Sequence, residues 1–119
     1  MFNFLFVFLG GGIGASLRYF INLTLSKFNL SFATFCANII GCFILGYIYS
    51  LILHKYNIPP QLKLFLTVGF LGGLTTFSTF IQENFIFLKD EKIAYFLLYT
   101  LLSLCVGLLF FYFGYNLAK

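Results

Sequence analysis

Apolar residues run along this chain in four long blocks with short polar interruptions between them. A helix that crosses a bilayer needs roughly 20 apolar residues. The blocks Phe2 to Leu25, Leu30 to Leu53, Leu62 to Leu88 and Ile93 to Leu117 each meet that length. The first interruption is Ser26 to Asn29; the second is His54-Lys55-Tyr56-Asn57 followed by Pro59-Pro60. A Pro pair cannot continue a helix, so it is a strong stop. The third interruption is the charged turn Lys89-Asp90-Glu91-Lys92. The pattern predicts an all-α integral membrane protein, a single four-span domain over residues 1–119 with both termini on one side.

The third block has an internal irregularity. Gly69-Phe70-Leu71-Gly72-Gly73-Leu74-Thr75-Thr76-Phe77-Ser78-Thr79-Phe80 places three glycines and four hydroxyl residues at bilayer depth. Lipid offers no hydrogen bonds, so backbone that leaves the helix there must be buried in protein or line a cavity. A break in the third span is therefore expected. Carbonyls at a break lose their intrahelical partners and can coordinate a hard cation such as Na⁺. Gly72-Gly73 and Thr75-Thr76 are the place for it.

Composition sharpens the class. Hydrophobic residues make up 61%, charged residues 8%, and mean hydropathy is +1.01, against about 25% charged in a soluble domain. The 19 Phe read mainly as lipid-facing bulk. The net charge of +4 is scattered, without the basic run or face that nucleic acid or a membrane surface would require. Cys36, Cys42 and Cys105 lack metal-ligand spacing and read as packing residues. The N-terminus has no basic n-region or cleavage site, so the first span is expected to be retained. There is no Ser/His/Asp set, no carboxylate pair and no phosphate loop, and His54 is alone; no enzyme is expected.

Basic residues at the span ends are balanced. Lys55, Lys63 and Lys119 fall on the side of the termini, and Lys27, Lys89 and Lys92 on the other, three against three. The positive-inside rule then gives no preferred orientation. Either the bias is merely weak, or the chain inserts both ways and pairs as an antiparallel homodimer. Four spans enclose little interior, so a pathway favours a second copy across one self-complementary interface.

Polar groups inside spans are costly and functional by default. Arg18 follows the small-residue run Gly10 to Ser16; it either snorkels to the interface or forms a cationic vestibule that draws in anions. Asn38, near the middle of the second span, is either glue between helices or a donor to an anion. Gly41 and Gly46 read as packing positions. Glu83 lies near the membrane surface, pairs with Arg18 or lines an exit. Tyr99 and Ser103, with Gly107, share one helix face. Phe77 and Phe80, at i and i+3, are either core or a pair of rings whose positive edges face an anion. Asn38, the Ser78 and Thr79 hydroxyls and those edges would together favour anions over cations.

These stretches carry a resemblance. Gly11-Gly12-Ile13-Gly14-Ala15-Ser16-Leu17-Arg18-Tyr19, Thr34-Phe35-Cys36-Ala37-Asn38-Ile39-Ile40-Gly41-Cys42-Phe43 and the Gly69 to Phe80 segment resemble the Fluc (CrcB) fluoride channels over essentially the whole chain. The resemblance implies a dual-topology antiparallel homodimer in the cell (plasma or inner) membrane that exports fluoride passively. It implies a structural, non-transported Na⁺ at the dimer centre, held by the backbone carbonyls of Gly72 and Thr75. Asn38, Phe77 and Phe80 match its pore asparagine and phenylalanine pair, with Ser78 and Thr79 beside them. Tyr99 and Ser103 match its polar track, and Arg18, Thr34 and Glu83 its vestibule or supporting positions. The family often has Val where this chain has Ala37. The main alternative is a small proton-coupled exporter of the multidrug resistance type. That mechanism needs a carboxylate deep in the first span, where this chain has Arg18 and no acidic residue. A non-transporting assembly subunit would leave the Thr-Thr-Phe-Ser-Thr cluster without a task.

Overall fold

The computed structural model describes residues 2–54 and 57–119. Lys55, one of the six lysines in the charge balance, lies outside the described residues, as does Tyr56. Among the described residues the protein is all-helical, with four helical stretches long and apolar enough to cross a membrane. Helices α1 (Phe2–Leu25) and α2 (Leu30–Leu53) follow the expected bounds. The Asn29 side chain caps α2, accepting a hydrogen bond from the Ser31 amide at 3.0 Å.

The third stretch, Pro60–Lys89, is composite. It begins as α3 (Pro60–Leu64), two residues before the expected Leu62, because Pro is pre-organised for the first position of a helix. It widens into a π-helical segment, Phe65–Leu71, and returns to a single turn, α4 (Gly72–Leu74). Helix resumes as α5 (Ser78–Lys89). The chain then reverses through Asp90-Glu91-Lys92, where the Lys92 amide bonds the Phe87 carbonyl at 2.7 Å and the Glu91 amide the Leu88 carbonyl at 3.1 Å. This is a Schellman ending with Glu91 (φ 59°) in the left-handed position usually held by glycine. The last helix, α6 (Ile93–Ala118), runs back from that turn.

Two parallel helix pairs organise the molecule, each closed by glycines. Gly10 and Gly14 of α1 lie directly on the backbone of Phe65, Phe70 and Leu74, while Gly69 and Gly73 lie on the backbone of Val7 to Ala15. Gly46 of α2 meets the Phe111 backbone, and Gly114 of α6 meets that of Phe43 and Tyr47. Association in lipid depends on such close approach, since apolar burial gives little driving force there. Gly46 thus packs as its spacing suggested, and Gly41 faces the Thr75 methyl. A small core of Ile21, Ala33, Ala37, Ile48, Leu71 and Leu74 joins the two pairs.

Candidate functional site

Between Leu74 and Ser78 the chain leaves the helical conformation; Thr75 is extended (φ −88°, ψ 156°). The freed polar groups are taken up by side chains. From α2, Asn38 clamps Thr76 at both ends of its peptide groups. The Thr76 amide donates to Asn38 Oδ1 at 2.8 Å, and Asn38 Nδ2 donates to the Thr76 carbonyl at 3.1 Å. Thr76 Oγ1 accepts from the Thr79 amide at 3.2 Å and so caps the start of α5. Thr75 Oγ1 donates back to the Leu71 carbonyl at 2.8 Å. From α1, Arg18 Nε donates to the Gly73 carbonyl at 3.0 Å.

The carbonyls of Gly72, Gly73, Leu74 and Thr75 lose the amide that a continuous helix would supply, and Arg18 serves that of Gly73. In a helix, the carbonyl of residue i accepts from the amide of i+4. The Thr76 amide that would serve Gly72 goes to Asn38, and the Thr79 amide that would serve Thr75 goes to Thr76 Oγ1. Gly72 and Thr75 are the two of these carbonyls that the family resemblance implies for a Na⁺. Oxygen donors freed in this way have the chemistry such a cation requires.

Of the three sequence readings of Glu83, the geometry overturns one, the pair with Arg18. It is buried (3% exposed) and accepts from Thr34 Oγ1 at 2.8 Å and from the Tyr99 hydroxyl at 2.7 Å. It does not pair with Arg18, whose partner is the Gly73 carbonyl. A carboxylate at this depth stays only because both oxygens meet hydroxyl donors. The three residues tie α2, α5 and α6 together.

Aromatic rings connect this buried node to the open side. Phe77 and Phe80 have centroids 6.1 Å apart, Phe80 and Tyr99 5.0 Å, and Phe87 and Tyr99 6.0 Å. Phe77 precedes α5 and is 74% exposed, a large ring with no cover from its own chain. Beside it lies a groove of about 620 Å³ bordered by Asn38, Thr76, Phe77, Phe80 and Ser103. Gly72 and Thr75 border the same groove. Thr34, Glu83 and Tyr99 form the node on the far side of Phe80, and Arg18 approaches the break from α1. Ser78 and Thr79 sit at the start of α5 within reach of Thr76 Oγ1, at 3.4 and 3.2 Å.

Two features were missed by the sequence reading. One is Thr76 as the partner of Asn38; an amide opposite a Thr-Thr break gives a weak signal, since 38 residues separate them. The other is Thr100, which borders the groove beside Ser103.

Residues 5–115 match the family described as CrcB-like protein, Camphor Resistance (CrcB). The chain is 44% identical over 117 residues to the fluoride-specific ion channel FluC of Prosthecochloris aestuarii, covering 97% of this chain and 91% of the relative. It is 39% identical over 115 residues to fluoride-specific ion channel FluC 2 of Staphylococcus saprophyticus, covering 97% and 95%. With the FluC of Gloeothece citriformis the identity is 43% over 122 residues, covering 100% and 98%.

Proposed function

Because this chain belongs to the CrcB family, we propose that it is a fluoride-selective passive channel, a multi-pass membrane protein that lets cytoplasmic fluoride leave the cell. The observation that carries the reading is the groove itself. Asn38, Thr76, Phe77, Phe80 and Ser103 border it, and among the described residues no charged side chain does. Uncharged groups of that kind attract a small anion without holding it, as conduction requires. Fluoride enters cells as uncharged HF and ionises inside. An interior-negative potential, worth about 2.3 kcal/mol per charge per 100 mV, then drives the anion outward without energy coupling.

Fluoride passes along the Phe77 and Phe80 edges with Asn38, Ser78 and Thr79 on one side and Tyr99 and Ser103 on the other. Arg18 supports the break through the Gly73 carbonyl, and Thr34 and Glu83 hold Tyr99 in place. The exposed Phe77 ring and the open groove support a second copy of the chain as the missing wall, inserted in the opposite orientation as the balanced lysines allow. The interruption at Thr75 to Phe77 then meets its own copy at the bilayer midplane. The carbonyls of Gly72 and Thr75 would hold a structural Na⁺ there, whose charge would offset the carbonyl dipoles.

Purified protein in liposomes tests the function. Fluoride efflux recorded with an electrode should be fast, and chloride efflux should stay at the level of protein-free vesicles. Equal rates for the two anions, or no flux, would overturn the reading. The topology has its own check. A single cysteine placed in the Lys89–Lys92 turn of a cysteine-free background should label from both faces of the membrane. Labelling from one face only removes dual insertion.

A further inference from the structure

Gly41 differs from the other closely packed glycines. Gly14, Gly46 and Gly114 each lie on the backbone of a neighbouring helix. Among the described residues, a Cβ at Gly41 would meet two atoms within 4 Å outside its own helix, and both belong to the Thr75 side chain. One is the methyl, well inside contact distance; the other is Thr75 Cβ, at 3.7 Å. Gly41 is buried in α2, so the space it leaves is taken by one side chain, that of the residue where the third stretch leaves the helix.

That side chain is held from its other side as well. Thr75 Oγ1 donates to the Leu71 carbonyl at 2.8 Å, and a β-branched side chain is stiff at χ1. With the hydroxyl bonded and the methyl seated on Gly41, one rotamer serves both contacts. Asn38 lies one turn before Gly41 on the same face of α2 and grips the next residue, Thr76, by its amide and its carbonyl. Two positions of α2 thus hold two consecutive residues of the break. A Cβ at Gly41 leaves two ways out. Thr75 turns about χ1 and gives up the Leu71 carbonyl, or α2 retreats and stretches the Asn38–Thr76 bonds. Either one moves the Thr75 peptide, whose carbonyl has no helical amide.

We infer that Gly41 is a positioning residue: the gap it leaves in α2 fixes the Thr75 side chain, and through it the Thr75 carbonyl offered to the structural Na⁺. The inference rests on the channel and Na⁺ reading given above. Gly41 acts through Thr75, not by contact with an ion.

The test compares Gly41→Ala, Thr75→Ser and the double variant with the parent protein. Serine keeps the hydroxyl and removes the methyl, so the nearest atom left to a Cβ at position 41 is the one at 3.7 Å, an ordinary contact. Each protein is run on a sizing column, melted in Na⁺ and in an equal concentration of choline, and assayed for fluoride efflux from liposomes. The parent should melt higher in Na⁺. Gly41→Ala should lose that Na⁺-dependent rise and slow fluoride efflux about tenfold. Adding Thr75→Ser should restore the rise and bring efflux within about threefold of Thr75→Ser alone. Crowding with no bearing on the Thr75 carbonyl would instead lower the melting temperature equally in both salts. A parental Na⁺ response in Gly41→Ala overturns the inference, and so does a defect that Thr75→Ser does not relieve; both outcomes leave the channel reading intact. If Gly41→Ala aggregates, a double variant that elutes as Thr75→Ser does supports the inference, and one that also aggregates overturns it. A parent whose melting is indifferent to Na⁺ overturns the cation reading and the inference with it. A parent without fluoride efflux overturns the channel reading, and the Na⁺ response in melting then decides the inference.

Discussion

Asn38→Asp should bring fluoride efflux down to the level of protein-free liposomes. The substitution keeps the oxygen that accepts from the Thr76 amide and removes the nitrogen that donates to the Thr76 carbonyl. A carboxylate would then face a carbonyl oxygen that has lost its donor, beside the groove through which an anion must pass. Two like charges about 4 Å apart repel by about 4 kcal/mol at an effective dielectric of 20. A barrier raised by about 3 kcal/mol slows transit more than 100-fold. The sizing profile should stay that of the parent, because one of the two clamp bonds survives. Efflux at the parental rate would show that conduction does not pass Asn38.

Gly14→Val should prevent recovery of a monodisperse protein. A Cβ on Gly14 would fall inside the contact distance of the Phe70 carbonyl and the Leu74 amide, both of them backbone. Neither can move aside as a flexible side chain would, so α1 must separate from the third stretch. The cost is about 3 kcal/mol or more, at the upper end for overpacking. Separation would also draw Arg18, one helical turn further along α1, away from the Gly73 carbonyl. Gly12→Ala is the comparison, since none of the described residues lies within 4 Å of a Cβ there. It should purify like the parent. The claim fails if Gly14→Val gives a single sharp sizing peak and parental efflux.

The contrast between these glycines marks what the sequence could and could not supply. Four spans were legible because lipid demands long apolar blocks, and because Pro59-Pro60 and Lys89 to Lys92 punctuate them. The departure from helix after Leu74 had a local cause, since glycines and hydroxyl residues cluster there. Which glycines touch backbone was not legible: Gly12 and Gly14 look alike in a run of small residues, and only the crossing of two helices separates them. Glu83 was unreadable for a similar reason. Its donors stand 49 residues before it and 16 after it, and no local spacing announces a three-helix node. Asn38 was identified as a polar group with a task, but its partner is a main-chain group, which has no side-chain signature.

The π-helical stretch Phe65–Leu71 bears on how the gene can change. The Gly72 amide reaches the Thr67 carbonyl five residues back, so this stretch holds one more residue than a tight helix of the same rise would need. A deletion there lets the wide turn close as α-helix with the same rise, so the residues downstream stay in phase. Gly73 stays on α1 and Thr76 beside Asn38. Insertions and deletions are ordinarily absorbed in loops. Here the wide turn supplies one spare residue inside a span, so a frame-preserving loss of one codon in it is borne better than the same loss in α2, where each residue removed turns the rest of the helix by about 100°.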